Sequence, residues 1–354
     1  MTVKDIRNGK IGFWKFMFSL LIVAYHVASY HNNSSFCSGY IGVEFFFLVS
    51  GYYLCKKCLN YKSIKSSDLG IETFNFIFNK IKKLVPYILV LWIMGIPVSI
   101  FIDKFTPYNF ITAFSNTIFV PNFDYKLYVI YGITWYIIAM LVVEMFLFPI
   151  LIKYRKNYAY IFSYLISFLL LSYLMLKYGN ISDPWRYSMF TYKGILRAFL
   201  DINIGICIYS FIDKFKHIKL TDFSKFTLTI IEIVGYLLVF YLSSKQIYRY
   251  EFLMLIILTI CLTITFSNEA YLVEFSNNKL FYYLEKLTIP IYINQFIFIK
   301  IISYIINKFS LVIPINIIII INILISIVFA FITNKIISIV NNNKKSIKSI
   351  FIVD

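Results

Sequence analysis

Apolar residues in this chain come in long blocks broken by short polar or basic stretches, not in the alternating rhythm of helices with one wet face. A bilayer demands such blocks, because a spanning helix needs roughly 20 mostly apolar residues. The pattern predicts spans at 13–30, 39–55, 84–102, 133–152, 158–176, 194–212, 226–243, 251–267, 281–305 and 312–334. Segment 69–83 differs: Phe74, Ile77, Phe78 and Ile81 recur at helical spacing beside Lys80, Lys82 and Lys83. It predicts an amphipathic helix lying on the membrane. Segment 110–120 is apolar but too short to cross, which suggests a re-entrant or interfacial piece. The first apolar run ends in YHVASYHNN, without a small-residue cleavage site, and is expected to be a retained span.

Composition agrees with an all-α polytopic bundle of about ten spans. The chain has 354 residues, of which 60% are hydrophobic and 14% charged; a soluble domain carries about 25% charged residues. Its net charge of +17 would suggest nucleic acid in a soluble protein. Here the cations sit between spans, where they mark cytoplasmic loops and meet anionic lipid headgroups, so no nucleic-acid partner is expected. With the N-terminus inside, 23 of the 34 Lys and Arg fall on the inner side and 8 on the outer. That asymmetry predicts cytoplasmic termini and a multi-pass protein of the cell membrane. Residues 1–340 read as one membrane domain and 341–354 as a short basic, flexible tail. Cys55 and Cys58 form a C-x-x-C, but a metal would need further ligands, and neither a metal nor a permanently bound cofactor is expected.

Ionisable residues inside spans are costly and mark function by default. They are His26, Glu44, Glu144, Arg197, Asp201, Glu232, Glu285, Lys286 and Lys300. His26 and Glu44 lie near the outer ends of adjacent antiparallel spans, roughly 6–8 Å deep. Two readings fit them: a histidine base oriented by a carboxylate, or a hydrogen bond tying two helices. Lys15 stands 11 residues before His26. That puts both on one helix face about 16 Å apart, a cation at the cytoplasmic mouth and a base near the outside. The arrangement suits an extended anionic substrate entering from the cytoplasm, although a flanking Lys can also simply snorkel. Arg197 and Asp201, four apart, can pair across a turn; Arg197 could instead hold an anionic substrate group. Glu144 and Glu232 are expected to find partners within the bundle. Gly51 shares the Glu44 face and admits a close neighbour. Trp135 and Tyr136 fit an interfacial belt or the lining of an outer acceptor site.

The run GYIGVEFFFLVSGYYL (39–54) resembles the second-span signature of the membrane acyltransferase-3 family, of the form G-x-x-G-V-[DE]-x-F-F-x-x-S-G. It fits at Gly39, Gly42, Val43, Glu44, Phe46, Phe47, Ser50 and Gly51. Lys15 and His26 resemble the family's basic residue, ten-residue gap and histidine. RAFLDINIGICIY (197–209) resembles its R-x-x-x-x-x-x-x-G span, and LEKLTIPIYINQ (284–295) a segment close to L-G-K-I-S-Y-P-I-Y-L-x-H. Two departures stand out: Glu285 replaces the usual glycine, and Gln295 the usual histidine. The resemblance implies O-acyl transfer, usually of acetyl, from cytoplasmic acyl-CoA to a sugar hydroxyl on a cell-envelope glycan or its lipid-linked precursor. Taken with the residue placements above, His26 and Glu44 are expected to be catalytic, and Lys15, Ser50, Gly51, Arg197 and Trp135 to bind substrate.

Two other classes compete. A glycan-lipid or small-molecule transporter would favour inverted repeats and broken spans; no repeat is visible, though Pro290 could break a span. A polysaccharide polymerase would carry catalytic arginines in a large outer loop, and 103–132 has none. Topology reporters give the first check. Those at 60–68 and at the C-terminus should be cytoplasmic and one at 33–36 external; an external C-terminus would overturn the ten-span arrangement.

Overall fold

The computed structural model describes residues 9–61, 65–104, 106, 134–188, 191–245, 250–271 and 279–350. Segment 110–120 lies outside them. In a bilayer every backbone polar group must be satisfied internally, so apolar blocks of this length fold as helices. The described residues are 84% helical, with no strand among them. Among the described residues ten α-helices follow in order: α1 Gly9–Tyr30, α2 Ile41–Leu59, α3 Leu69–Asp103, α4 Thr134–Asn157, α5 Ser163–Tyr178, α6 Lys193–Phe215, α7 Asp222–Ser243, α8 Glu251–Ser267, α9 Lys279–Lys308 and α10 Ile315–Ile350. Seven helical stretches among the described residues are long and apolar enough to cross a membrane. One of them, Trp135–Tyr178, breaks at Arg155, whose backbone leaves the helical region (φ 40°, ψ −117°). The two halves run oppositely along α6. Trp135, at the start of α4, meets Trp185 beyond the end of α5, while Ser163, at the start of α5, bonds Cys207. The basic stretch at Lys153–Lys156 is therefore a true turn between spans, as the sequence predicts.

Two expectations change. The amphipathic segment 69–83 is not a separate helix on the membrane surface. It continues without a break into the third span as the 35-residue α3, through Pro86 and Pro97. Both segments share the helical period, and membrane helices tolerate proline. At 1.5 Å per residue α3 is about 52 Å long, well beyond a hydrocarbon core of about 30 Å, so one end emerges from the bilayer. Similarly, α10 runs on to Ile350, so the basic stretch from 341 continues its backbone as helix.

The bundle is organised around α1, α2, α6 and α9. The closest association is between α2 and α6. A Cβ at Gly51 would collide with the Ile202 backbone carbonyl, and one at Gly205 with that of Leu48. The two glycines thus let the backbones touch, the role expected of Gly51. Helices in lipid associate through this kind of packing, because hydrocarbon supplies no hydrophobic drive between them. Large apolar side chains face outward elsewhere, among them Phe101 at 83% and Leu176 at 89% exposure, as a lipid-facing surface requires.

Gly51→Val should therefore destabilise the folded protein by about 3 kcal/mol, the upper end of the cost of overpacking, since backbone cannot rotate aside. Thermal unfolding in detergent should show a clear drop in midpoint. Gly70→Val, where nothing lies within 4 Å of a Cβ, should leave the midpoint within a degree or two of wild type.

Candidate functional site

A cavity of about 510 Å³ opens at the end of the bundle that carries His26. Helical periodicity explains its walls. Ile22, Tyr25, His26 and Ser29 lie on one face of α1, and Tyr292, Phe296 and Lys300 are one turn apart on α9. Tyr40 and Val43 come from the start of α2, Trp135 from α4 and Arg197 from α6. The loop after α5 adds Ser182, Asp183, Pro184 and Trp185. Buried groups hold that loop in place. Glu251, at the start of α8, accepts hydrogen bonds from the Tyr40 hydroxyl and the Ile181 N–H. Lys193 donates to Asn180 Oδ1 at 2.6 Å and to the Ser182 carbonyl. The Gly194 N–H donates to the Pro184 carbonyl at 2.8 Å.

His26 does not pair with Glu44. Its Nδ1 meets Gln295 Oε1 at 3.0 Å, and its ring packs 4.6 Å from Phe296 and 5.0 Å from Tyr25. Glu44 instead binds Arg197: the guanidinium Nε donates to Oε1 at 2.8 Å and Nη2 donates to the same oxygen. Arg197 also lies 5.3 Å from the Trp135 ring centroid and 5.9 Å from that of Tyr40. An intramembrane guanidinium takes an anion wherever one lies in reach, and Glu44 on the tightly packed α2 is better placed than a residue on its own helix. So the expected Arg197–Asp201 pair does not form. Both carboxyl oxygens of Asp201, and Glu44 Oε2, are buried without a hydrogen-bond partner.

Of the residues singled out in the sequence, His26, Arg197 and Trp135 converge on the cavity; Glu44 stands behind it, through Arg197. Ser50, Gly51 and Lys15 do not line it. Ser50 donates to Glu144 Oε1, and Glu144 is the anion for Lys80 of α3. Glu232 takes Lys10 at 2.8 Å. Lys15 is bound to Glu285 at 2.8 Å and lies 5.4 Å from the Tyr53 ring centroid. Glu285 is the residue standing where the family pattern has glycine. Sequence reasoning missed the Lys300–Asp103 ion pair on the cavity wall, Asp183 and Trp185, and the anchors Glu251 and Lys193. Lys300 was visible as an intramembrane cation; the loop residues gave no signal at all.

Chemically, the cavity offers an imidazole, a fixed guanidinium and aromatic walls. Among the described residues no cluster of three or more His, Cys, Asp and Glu could hold a metal. The size of the cavity and its mixture of charged and polar groups with aromatic walls suit a small or sugar-sized ligand.

A family model described as an acyltransferase domain matches residues 8–335. No curated protein and no solved structure matches the chain.

The Glu44–Arg197 pair can be tested by a double-mutant cycle. Glu44→Gln leaves a buried guanidinium uncompensated and should cost about 3 kcal/mol, as should Arg197→Gln. The double variant should be far more stable than the sum of the two losses, read from thermal unfolding in detergent.

Proposed function

The chain belongs to the membrane acyltransferase-3 family and is a membrane acyltransferase, and we propose that it moves an acetyl group from cytoplasmic acetyl-CoA to a hydroxyl of a cell-surface or lipid-linked polysaccharide sugar. One observation carries this reading: His26 and Arg197 meet on one aromatic-walled cavity of about 510 Å³, while the other end of the same helix carries Lys15. The charge distribution along the loops supports an outward cavity in the cell membrane, with both termini in the cytoplasm.

In this reading the acceptor sugar lies against the aromatic walls with one hydroxyl at His26. The imidazole takes the hydroxyl proton as the oxygen attacks the thioester carbonyl carbon. The C–S bond breaks, and the imidazolium returns the proton to the departing thiolate, giving ester and free thiol. Arg197, held rigid by Glu44, supplies positive charge beside the oxyanion that forms. Glu44 thus positions Arg197, not His26. The donor enters from the Lys15 end, where its phosphates compete with Glu285 for the ammonium. About 16 Å of helix then separates that mouth from His26, a span an extended pantetheine arm can bridge. No permanently bound cofactor takes part.

Purified protein in detergent should transfer label from acetyl-CoA to a glycan acceptor, and the surface glycan should lose its acetyl signals in proton NMR when the protein is removed. His26→Ala should abolish transfer in a protein that still folds; wild-type turnover there would reduce His26 to packing. Lys15→Ala should raise the donor KM about ten-fold, the worth of a partly exposed cation–phosphate contact. Glu285→Gly should lower the donor KM several-fold, because it frees Lys15. Neither should change kcat much.

A further inference from the structure

We infer that Gln295 is a positioning residue that locks His26 in the tautomer with its proton on Nδ1, leaving Nε2 as the basic atom presented to the cavity. This rests on the acyl-transfer reading for its catalytic meaning, but the tautomer itself follows from two hydrogen bonds. Gln295 Nε2 donates to the Tyr292 carbonyl at 2.9 Å, one turn back on α9. A carbonyl only accepts, so that end of the amide is the NH2, and Oε1 is the atom turned to His26. An amide oxygen only accepts as well. The imidazole nitrogen that meets it at 3.0 Å, Nδ1, must therefore carry hydrogen. In a neutral ring the lone pair then sits on Nε2. Nε2 makes no hydrogen bond among the described residues, and His26 lines the cavity.

The surroundings make the lock stiff. Gln295 is fully buried, and Phe296, the next residue on α9, packs on the imidazole ring. Which ring nitrogen is protonated follows from the partner the other nitrogen finds. Here a neutral amide does what a carboxylate does in other histidine bases, but adds no negative charge beside the imidazole. It also cannot exchange a proton with the ring. Position 295 consequently serves as a fixed acceptor.

The tautomer can be read directly, without turnover. The chain has 3 histidines, so full-length protein labelled with ¹⁵N in the imidazole rings gives three pairs of ring signals, assigned with His31→Gln and His217→Gln. Wild-type His26 should show one pure Nδ1–H tautomer. In Gln295→Leu the proton should redistribute toward Nε2, and kcat should fall on the order of 10²-fold with the donor KM unchanged. Gln295→Glu keeps an acceptor and adds charge: it should hold the Nδ1–H tautomer, retain turnover, and move the acid limb of the pH–rate profile to higher pH. If Gln295→Leu fails to fold, Gln295→Met removes the acceptor with a more flexible side chain of similar length. A mixed or Nε2–H His26 in wild type, or a tautomer unchanged in both apolar variants, overturns the inference whatever the activity. A wild-type Nδ1–H signal in a protein that transfers no acyl group overturns the functional reading and leaves the tautomer assignment standing.

Discussion

A charge placed within a bilayer must find its opposite on a neighbouring helix, and that requirement shapes this bundle more than any other. Lys10 takes Glu232, Lys80 takes Glu144, Arg197 takes Glu44, Lys300 takes Asp103 and Lys15 takes Glu285. Each pair joins two different helices, so each fixes a rotation as well as a contact. The Arg197–Glu44 pair is the most deeply buried, with side chains 2% and 0% exposed. It sits about two turns from the place where Gly51 and Gly205 bring the α2 and α6 backbones together. The close approach makes the pair reachable, and the pair removes the cost of two unpaired ions.

The site inherits its electrostatics from this arrangement. Glu44 is committed to Arg197, not to His26, and a neutral amide stands beside the imidazole instead. A carboxylate beside the imidazole would favour the protonated ring and leave another anion facing the cavity. The amide fixes direction without adding charge. Arg197, with Glu44 on one side and Trp135 on the other, cannot swing to follow a ligand. In the proposed reaction that rigidity would help, since a positive group fixed in advance where negative charge develops needs no reorganisation.

The two ends of α1 differ in kind. At the His26 end, aromatic rings and a loop anchored by Glu251 and Lys193 enclose a defined cavity. At the Lys15 end, the cation is paired and part-exposed, its side chain 19% accessible. A part-exposed pair is exchangeable, because solvent already shares the charge. In the proposed reaction, Glu285 would set how freely Lys15 can meet an incoming anion.

Long apolar blocks and the asymmetry of Lys and Arg determined the helical class, the ten helices and the turn at Arg155, because a bilayer leaves a chain few alternatives. Motif spacing marked His26 and Arg197, and position at the outer end of a span marked Trp135; the three do line one cavity. Position along single helices, however, says only how deep a side chain lies and which face it occupies. It does not say which helix stands opposite. On depth alone His26 and Glu44 looked like partners, and on spacing alone Arg197 and Asp201 did. Only the tertiary structure decided that α9 faces His26 and α6 faces Glu44, because helix neighbours and rotations are fixed by packing and charge pairing across the whole bundle. For the same reason the loop carrying Asp183 and Trp185 had no signature in the sequence: its place over the cavity depends on Glu251 and Lys193, anchors contributed by two other helices.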